Sequence, residues 1–505
     1  MDFLSKQEFL KLSAKGNLVP VYKEVLGDCQ TPVSAYVQLA GKSRYSFLLE
    51  SVEGEEKFAR FSFIARDPET VISTKGRQAR IICLGKDRTA RQTRTINGSP
   101  LDILREFMKD YQAVHVPSLP RFYGGMVGFL SYDCVRFFER LPETAKDDLD
   151  LPDMVFVLAK DLVIFDHRHH TIKAVSCVHC SAKDSPAQKA RKYDAAMTII
   201  DAVIRDLNKP FAVKKTRTSQ VKSPVRSNCT PGRFKAMVEK AKEHITAGDI
   251  IQVVLSQRFE VPTRVSPFDI YRSLRALNPS PYMFYLNFDG LHLVGASPEL
   301  LVRCEEGLVE TRPIAGTRPR GQDDAQDEAL KKDLLADPKE KAEHVMLVDL
   351  GRNDLGRVCE EGSVRLSEFM GVEKYSHVMH IVSNVQGRLR KDKDALDVLQ
   401  AAFPAGTVSG APKIRAMEII EDLEKVKRGP YAGAVGYFSF SKNLDTCITI
   451  RTIVVRGNKA YVQAGAGIVA DSDPAKECRE TVHKAKAQIK AIAMANYVDT
   501  HRNPN

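Results

Sequence analysis

Residues 446–463 read TCITIRTIVVRGNKAYVQ and predict a β-hairpin that turns at residues 456–459. β-branched and aromatic residues fill both arms, and glycine and asparagine occupy the turn. Strands that follow one another through tight turns pair antiparallel, so the sequence favours an antiparallel sheet. Further strands of this kind are predicted at residues 250–259, 282–287, 291–296 and 432–440.

Residues 1–210 predict a mixed α+β unit, because short β-rich runs alternate with turns and a helix-like stretch closes the unit at residues 188–207. A basic segment with Ser, Thr and Pro follows at residues 211–229 and is typical of a linker, with a nucleic-acid-binding arm as the alternative. A predicted helix at residues 231–247 then opens the second half. The predicted domains are therefore residues 1–210, the linker, and residues 230–495.

The composition is that of an ordinary globular enzyme, with 505 residues, 43% of them apolar and 28% charged. The net charge of +11 permits nucleic-acid binding, but acids are interleaved with the bases and neither zinc-finger spacing nor a heptad zipper occurs, so we expect no nucleic-acid partner. The N-terminus lacks a secretory signal, and the longest apolar runs are too short to span a bilayer. These features and ten scattered cysteines predict a cytoplasmic protein without a membrane partner.

Cys177 and Cys180 form a C-x-x-C motif around His179, close to three further histidines within residues 167–170. This arrangement raises the alternative of a zinc site. A second C-x-x-C is missing, however, and residues 162–178 are better explained as two β-rich runs joined through the histidines. The sequence therefore favours a hairpin here over a metal site.

Two pairs of glutamates at helical spacing are the best candidates for a divalent-metal site. Glu340 with Glu343, and Glu477 with Glu480, each fall on one face of a predicted amphipathic helix, about 140 residues apart in the chain. Lys484 extends the second face by one turn. Glutamate pairs on solvated helix faces are common, so spacing alone leaves that simpler interpretation open.

Five motifs in the second half decide between these interpretations. In order they are TRPIAGTRPRG at 311–321, the acidic helix ending in GRNDL at 351–355, FPAGTVSGAPK at 403–413, QAGAG at 463–467, and E-x-x-E-T-x-x-K-A at 477–485. Together they resemble the chorismate-utilising enzymes, most closely the large, aminating subunits of anthranilate synthase. The resemblance is strong over residues 230–490 and looser over residues 15–205. It implies an α+β fold in which two large antiparallel sheets pack face to face with helices outside.

The resemblance implies a magnesium site, because chorismate is a dicarboxylate whose ring carboxylate the family holds through Mg²⁺. It assigns Glu343 and Glu480 as direct or water-bridged metal ligands, with Glu340 and Glu477 completing the acidic wall. Bound magnesium would withdraw charge from the ring as the 4-hydroxyl departs.

The resemblance also implies catalytic and substrate-binding residues. Glu299 matches the family's general acid, which needs a pKa raised by burial to act at neutral pH. His380 matches the histidine near the enolpyruvyl side chain, and Lys484 completes the catalytic set. The matched substrate-binding positions are Gly316, Thr317, Thr407, Tyr431, Arg451, Gly465, Ala466 and Gly467.

Local patterns predict how these groups reach the substrate. Arg451 alternates with Ile450 at the period of a strand, so it can face the cavity while Ile450 packs away. The pattern alone would favour a solvated strand edge, and the resemblance favours the cavity. Gly316 and Thr317 fit a tight turn that contacts substrate. The glycines within residues 465–467 would let backbone amides approach a carboxylate closely.

Two positions separate the activities within the family. Relatives that add water to chorismate place a lysine base where this chain has Gln252, and a neutral amide cannot deprotonate water. Relatives that aminate the 4-position carry a nucleophilic lysine where this chain has Ala315. The resemblance therefore implies amination by ammonia at C2 and loss of pyruvate, giving anthranilate. The alternatives are an isochorismate or salicylate synthase and, from another class, a non-catalytic chorismate-binding regulatory protein.

The same resemblance implies feedback inhibition and a protein partner. Residues matching a split L-tryptophan site are Glu50, Ser51, Pro281, Tyr282 and Met283. The first half would then be regulatory and the second catalytic, and tryptophan would favour one arrangement of the halves. No glutaminase signature is recognisable, so a separate glutaminase subunit, component II, is expected to supply ammonia. The chain contains no tryptophan, which suits an enzyme made when tryptophan is scarce.

Overall fold

Two antiparallel β-sheets of twelve strands each form the body of the chain in the computed structural model, which describes residues 2–51, 60–85, 90–210, 224–375 and 378–495. In chain order the strands are β1 (Leu18–Leu26), β2 (Tyr45–Glu50), β3 (Phe61–Arg66), β4 (Thr70–Lys75), β5 (Gln78–Leu84), β6 (Ala90–Asn97), β7 (Gly125–Leu130), β8 (Met154–Ala159), β9 (Asp161–Asp166), β10 (Thr171–His179), β11 (Arg226–Ser227), β12 (Gln252–Pro262), β13 (Tyr282–Phe288), β14 (Leu291–Ser297), β15 (Leu300–Glu305), β16 (Leu308–Thr311), β17 (Ile314–Pro319), β18 (Arg365–Lys374), β19 (Val378–Arg388), β20 (Gly410–Ala411), β21 (Ala434–Ser439), β22 (Leu444–Ile448), β23 (Thr452–Arg456) and β24 (Lys459–Ile468). The first sheet has the order β1-β10-β9-β3-β2-β13-β14-β23-β24-β12-β11, with β20 beside β12. The second has the order β17-β19-β16-β15-β22-β21-β7-β8-β4-β5-β6, with β18 beside β19.

Helices begin mostly at proline, whose fixed φ suits the first helical turn. They are α1 (Lys6–Leu12), α2 (Pro32–Ala40), α3 (Pro100–Met108), α4 (Pro186–Leu207), α5 (Pro231–Thr246), α6 (Pro267–Leu277), α7 (Asp324–Ala336), α8 (Pro338–Gly356), α9 (Ala395–Ala402), α10 (Lys413–Glu424) and α11 (Pro474–Ala495), with 3₁₀ turns at Tyr132–Phe137 and Gly406–Val408. Among the helices described, none is long and apolar enough to cross a membrane.

The two sheets pack face to face through apolar side chains. Phe129 on β7 and Phe288 on β13 bring their ring centroids to 6.0 Å, and Phe63 on β3 meets Tyr437 on β21 at 6.4 Å. These residues belong to one continuous core drawn from both sheets. Helices α2, α6 and α11 cover the other face of the first sheet and enclose a second core. The predicted α+β fold, with two face-to-face antiparallel sheets and helices outside, is confirmed.

Strands from both halves of the chain combine in each sheet. β2 pairs with β13 in the first sheet, and β7 pairs with β21 in the second. Most of the predicted linker, residues 211–223, lies outside the described residues. The division at residues 210 and 230 therefore stays a prediction.

The hairpin predicted at residues 446–463 is confirmed only in its second part. β23 and β24 pair across the predicted turn, with Arg456 opposite Lys459. The first residues of the segment instead belong to β22 in the second sheet, so the chain crosses between sheets at residues 449–451. Arg451 lies at this crossover with φ of +51°, not on a strand as predicted. Apolar alternation continues on both sides of the crossover, so periodicity alone could not reveal it.

The C-x-x-C segment forms the hairpin that the sequence favours over a zinc site. β9 and β10 pair antiparallel, with Asp166 opposite Thr171. Cys177 Sγ donates to the backbone carbonyl of Tyr123 at 3.3 Å and is buried in the core. Within the described ranges, no three or more His, Cys, Asp or Glu side chains form a group that could hold a metal ion.

Candidate active site

The first glutamate pair lies on α8, and each carboxylate is held by a residue of a neighbouring strand. Glu340 Oε1 accepts a hydrogen bond of 3.2 Å from Arg318 on β17, and Glu343 Oε1 accepts one of 3.2 Å from the Gln252 amide on β12. Burial raises the pKa of Glu340, Arg318 opposes the rise, and neighbouring Glu343 adds to it. The pair is therefore an anchored patch of negative charge, not a freely solvated helix face.

The second pair lies on α11, where Asp473 caps the helix by accepting a 2.7 Å hydrogen bond from the Lys476 amide. Glu480 Oε1 pairs with Lys484 Nζ one turn later at 2.7 Å. Burial raises the pKa of Glu477, and Glu480 raises it further.

The two helices approach each other at these acids. Lys339, in the first turn of α8, is close enough to Glu477 on α11 to lower the pKa of that carboxyl. Gln252 completes the connection, because a Cβ atom on Gly467 would lie 2.8 Å from its Nε2 while the same amide contacts Glu343. Residues 140 positions apart in the chain therefore share one wall.

The donor chemistry of this wall fits a hard divalent cation. Carboxylate oxygens are the ligands that Mg²⁺ prefers, and it commonly takes only one or two of them and keeps several waters. The absence of a three-ligand group among the described residues is compatible with such a site. Which of the four glutamates would bind magnesium stays a prediction.

Glu299 is buried between β14 and β15, where its backbone carbonyl accepts a 3.1 Å hydrogen bond from the Ile448 amide. Burial raises the pKa of Glu299 to about 8, with Thr407 and Lys484 acting in the opposite direction. The side chain is therefore mostly protonated at neutral pH. It has the protonation state that a general acid requires.

His380 on β19 is oriented by the neighbouring strand β17. Its Nδ1 lies 2.8 Å from the Gly316 carbonyl oxygen and 3.1 Å from Thr317 Oγ1. A carbonyl only accepts, so Nδ1 carries the proton and Nε2 keeps its lone pair. Burial lowers the pKa of His380, which keeps the ring neutral. Gly316 forms a bulge in β17, with φ of +68°, in place of the predicted tight turn.

Arg451, Lys484 and Tyr431 converge near the end of β24. Lys484 Nζ donates to the Gly465 carbonyl at 3.2 Å, and a Cβ atom on Gly465 would lie 2.7 Å from the Tyr431 hydroxyl. Burial lowers the pKa of Arg451, and Tyr431 opposes this. Arg451 is half-buried and forms no ion pair among the described residues, so its guanidinium is a place where an anion would be stabilised.

The predicted glycine-rich segment lies on the open part of β24. β12 pairs with β24 along its whole length, placing Gly465, Ala466 and Gly467 opposite residues 254–256. β23 pairs with β24 only as far as Val462. Beyond Val462, alternate backbone amides of β24 therefore have no strand partner among the described residues. Such amides are available to a carboxylate, as the sequence predicts.

A cavity of about 450 Å³ opens beside these groups. Its lining residues are Arg451, Lys476, Arg479, Glu480, His483 and Lys484. Positive charge outweighs negative charge in this lining, which favours an anionic ligand. A narrower cavity is lined in part by Glu299 and Thr407, and Lys484 of the first cavity is close enough to Glu299 to lower its pKa. The structure thus gathers the predicted catalytic, substrate-binding and metal positions in one region.

A second cavity of about 450 Å³ lies between the two sheets, with β2 and β13 on one side and β21 and β22 on the other. Its lining includes all five residues of the predicted tryptophan site, Glu50, Ser51, Pro281, Tyr282 and Met283. The Glu50 carboxylate is already occupied, because it accepts hydrogen bonds from Tyr271 and Arg275. Ser51 Oγ is buried and finds no hydrogen-bond partner within the described parts of the chain.

A polar cluster that lines this second cavity was not predicted from the sequence. Asp445 on β22 accepts hydrogen bonds from Tyr282 at 3.1 Å, Arg121 at 3.0 Å and Arg303 at 3.1 Å. One available signal was Arg303 within the otherwise apolar strand LLVRCE, since a charge in a buried strand demands a partner. Its carboxylate partner Asp445 lies 142 residues away in the chain and could not be identified from it.

Comparison with known proteins shows the family to which the chain belongs. The family model described as chorismate binding enzyme matches residues 45–490. Anthranilate synthase component 1 of Acetivibrio thermocellus is 47% identical over 499 residues, covering 97% of this chain and 98% of the relative. The Aquifex aeolicus protein of the same name is 49% identical over 498 residues, with the same coverage.

Solved structures give the same result. Anthranilate synthase component I from Streptococcus pneumoniae aligns with a TM-score of 0.76 and 38% identity, covering 92% of this chain and 98% of that one. The menaquinone-specific isochorismate synthase of Escherichia coli shares the fold at a TM-score of 0.67 and 20% identity, over 96% of this chain and 98% of its own. The chain is an enzyme of the chorismate-binding family, and within it belongs to the anthranilate synthase component 1 group.

Proposed function

We propose that the chain is the aminating subunit of an anthranilate synthase, which converts chorismate and ammonia into anthranilate, pyruvate and water in the first step of tryptophan biosynthesis. The observation that carries this proposal is the Gln252 amide beside Glu343, at the position where water-adding relatives place a lysine base. A neutral amide cannot deprotonate water, whereas ammonia already has a lone pair. Ala315 likewise offers no amine to attack the ring.

Glu343 and Glu480 are the proposed magnesium ligands, with Glu340 and Glu477 beside them. Magnesium would polarise the ring carboxylate of chorismate as the 4-hydroxyl leaves. Burial and neighbouring carboxylates raise the pKa values of Glu340 and Glu477. These raised values support a cation site, because a divalent cation would stabilise the ionised carboxylates.

Glu299 is the proposed general acid. It donates its proton to the departing 4-hydroxyl, which leaves as water, while ammonia forms a bond at C2 and loses a proton. The Nε2 lone pair of His380 is then available to accept the ring proton at C2 as the C3–O bond breaks, and the departing enolpyruvate takes up a proton at its methylene carbon to become pyruvate. The buried, neutral state of both side chains supports these roles.

Arg451, Lys484 and the open amides within residues 465–467 are proposed to hold the two substrate carboxylates. Tyr431, Gly316, Thr317 and Thr407 are proposed to line the remaining walls. Partial burial of Arg451 in the cavity wall strengthens its attraction for an anion, because fewer water molecules compete for the guanidinium.

A glutaminase subunit, component II, is the proposed source of ammonia, which is mostly protonated in neutral solution. The words "component 1" in the names of the relatives support a second component. We expect the complex in the cytoplasm, with neither nucleic acid nor membrane as partner.

L-Tryptophan is the proposed feedback inhibitor, bound in the second cavity. The cavity is lined by β2 and β13, strands from the two halves of the chain, and Ser51 Oγ offers an unused hydrogen-bonding group there. Tryptophan would inhibit by binding more tightly to one arrangement of these strands than to the other.

The test is anthranilate fluorescence on mixing the purified chain with chorismate, Mg²⁺ and ammonium at alkaline pH, with and without L-tryptophan. Tryptophan-sensitive fluorescence is the expected result. Chorismate consumed without anthranilate would favour an isochorismate or salicylate synthase, and chorismate bound without turnover would favour a regulatory binding protein.

A further inference from the structure

Arg428, in the loop that follows α10, is a buried arginine that sequence reasoning did not single out. Its side chain is 1% exposed, and that of its partner Glu424 is 3% exposed. Nε donates to Glu424 Oε2 at 3.0 Å and Nη2 to Oε1 at 2.6 Å. Glu424 also accepts hydrogen bonds from the amide and the hydroxyl of Ser256, at 2.8 Å and 3.0 Å. The pair is thus neutral overall and carries no net charge toward a substrate.

The guanidinium also holds two backbone segments of the candidate active site. Nη1 donates to the Val408 carbonyl at 2.7 Å, and Nη2 donates to the Val254 carbonyl at 2.7 Å. Val408 follows Thr407, the side chain that faces Glu299. Val254 lies on β12 directly opposite Gly467 in the paired strand β24. One side chain therefore connects the part of the site that holds Glu299 and Thr407 with the part formed by the amides of residues 465–467.

The flat face of the Arg428 guanidinium also stacks on Tyr431, a further residue of the candidate site. The guanidinium carbon lies 5.6 Å from the ring centroid of Tyr431 and 4.8 Å from that of Tyr132. Tyr431 in turn places its hydroxyl against Gly465. Stacking of arginine on aromatic rings restrains both partners in a desolvated setting.

We propose that Arg428 is a positioning residue for the reaction, which fixes the Thr407 turn, β12 and Tyr431 in a single arrangement. This inference rests on the proposed function for its kinetic consequence. Arginine is required because its planar fork sends separate donors to a carboxylate and to two carbonyls while its face stacks on a ring. A lysine ammonium retains the pairing with Glu424 but cannot reach both carbonyls in fixed directions.

The first test is Arg428→Lys, with Arg136→Lys as the matched control. Arg136 forms a buried pair with Glu421 on the same helix as Glu424, but its other contact is the Pro142 carbonyl, away from the site. In the ammonium-dependent assay we expect Arg428→Lys to lower kcat roughly 100-fold, with a smaller change in KM for chorismate, because misplacement by an ångström costs about that much. The control should stay within a few-fold of the wild type.

The second test measures positioning without turnover, by amide hydrogen exchange. Arg428→Lys should speed exchange in residues 252–256 and 405–411 and leave residues 282–288 on β13 unchanged. The double variant Glu424→Leu/Arg428→Met removes both buried charges together and should show the same exchange pattern if it folds.

The outcomes separate the two proposals. A wild-type chain that makes no anthranilate would overturn the proposed function, while the exchange experiment would still test the role of Arg428. Wild-type kcat in both Arg428 variants would overturn the positioning role. So would lost activity without faster exchange at residues 252–256 and 405–411, or equally faster exchange at residues 282–288.

Discussion

The side-chain amide of Gln252 donates a 3.2 Å hydrogen bond to the carboxylate of Glu343, and so ties β12 to α8 at the candidate metal site. Replacing Gln252 by lysine would put an ammonium beside that carboxylate and neutralise a proposed magnesium ligand. We expect Gln252→Lys to raise the Mg²⁺ concentration needed for half-maximal anthranilate formation by roughly tenfold or more, as each 1.4 kcal/mol is a factor of ten.

Gln322→Lys is the matched control for that titration, because Gln322 is exposed and the charge change is the same. A Mg²⁺ requirement unchanged by Gln252→Lys would argue against Glu343 as a ligand. The products should also be separated chromatographically, since a hydrated product would identify the new lysine as a base for water.

The protonated state of Glu299 predicts a descending limb in the pH profile. With a pKa of about 8, its proton is lost as the pH rises above that value. At constant free ammonia, kcat/KM for chorismate should therefore fall above about pH 8, because kcat/KM reports the ionisations of the free enzyme. Glu299→Gln should lower kcat by roughly 10²–10⁴-fold and remove this limb. A limb that survives in the variant would assign the titration to another group.

The same raised pKa predicts a pH-dependent stability difference. The folded pKa of about 8 exceeds the ordinary value of 4.5, so the stability that neutral Glu299 contributes is complete below pH 4.5. It is lost as the pH rises through 8. The unfolding free energy of Glu299→Gln relative to the wild type should therefore increase across this window, by on the order of a few kcal/mol. Denaturant titrations at several pH values measure it, and a constant difference would contradict the assignment.

The sequence predicts the regular elements well because each carries its own local signal. The turn at residues 456–459 forms as predicted, and Asp473 caps the start of α11. Local periodicity fails where tertiary contacts decide which face is buried. On α8, the apolar Val345 is 40% exposed, whereas His344 is fully buried and bonds to Ser383 at 2.7 Å. A polar partner on a distant strand turns the helix, and no local pattern encodes that partner.

The residues of the candidate site also fall into two groups, those that the sequence predicts and those that only the fold reveals. Residues within contiguous motifs, such as Glu343 and Glu480, can be proposed from a resemblance without any geometry. Residues that act through long-range pairing cannot. Arg428 bonds to backbone carbonyls 20 and 174 residues away, and a carbonyl leaves no trace in the identity of its residue. A basic side chain in a loop is ordinarily solvated, so its burial became evident only from the fold.

Gly465 and Tyr431 are in such close contact that a methyl group added at residue 465 should clash with the Tyr431 hydroxyl. A Cβ atom at residue 465 would lie 2.7 Å from the Tyr431 hydroxyl and 3.0 Å from the Leu255 carbonyl. Gly465→Ala should destabilise the chain by about 1–3 kcal/mol and lower kcat/KM for chorismate. The double variant Gly465→Ala/Tyr431→Phe removes one of the two clashing oxygens and should recover part of the stability. Gly232→Ala, with open space around its Cβ, is the control.

Ser51, in the second cavity, is expected to affect both the stability of the chain and its inhibition by tryptophan. Its hydroxyl is buried without a hydrogen-bond partner among the described residues, which costs the free chain about 1–3 kcal/mol. Ser51→Ala should therefore raise the melting temperature of the ligand-free chain, because it removes the unsatisfied group. If tryptophan supplies the missing partner, the same substitution should raise its inhibition constant by roughly tenfold, the loss expected for one buried hydrogen bond.

Ser34→Ala is the matched control for this pair of measurements, because the Ser34 hydroxyl is already hydrogen-bonded at the start of α2 and lies outside the cavity. It should lower the melting temperature and leave the inhibition constant alone. The two serine variants are thus expected to shift stability in opposite directions. A Ser51→Ala chain that is more stable yet equally sensitive to tryptophan would place the inhibitor elsewhere. One that is less stable would mean that the hydroxyl already has a partner in solution.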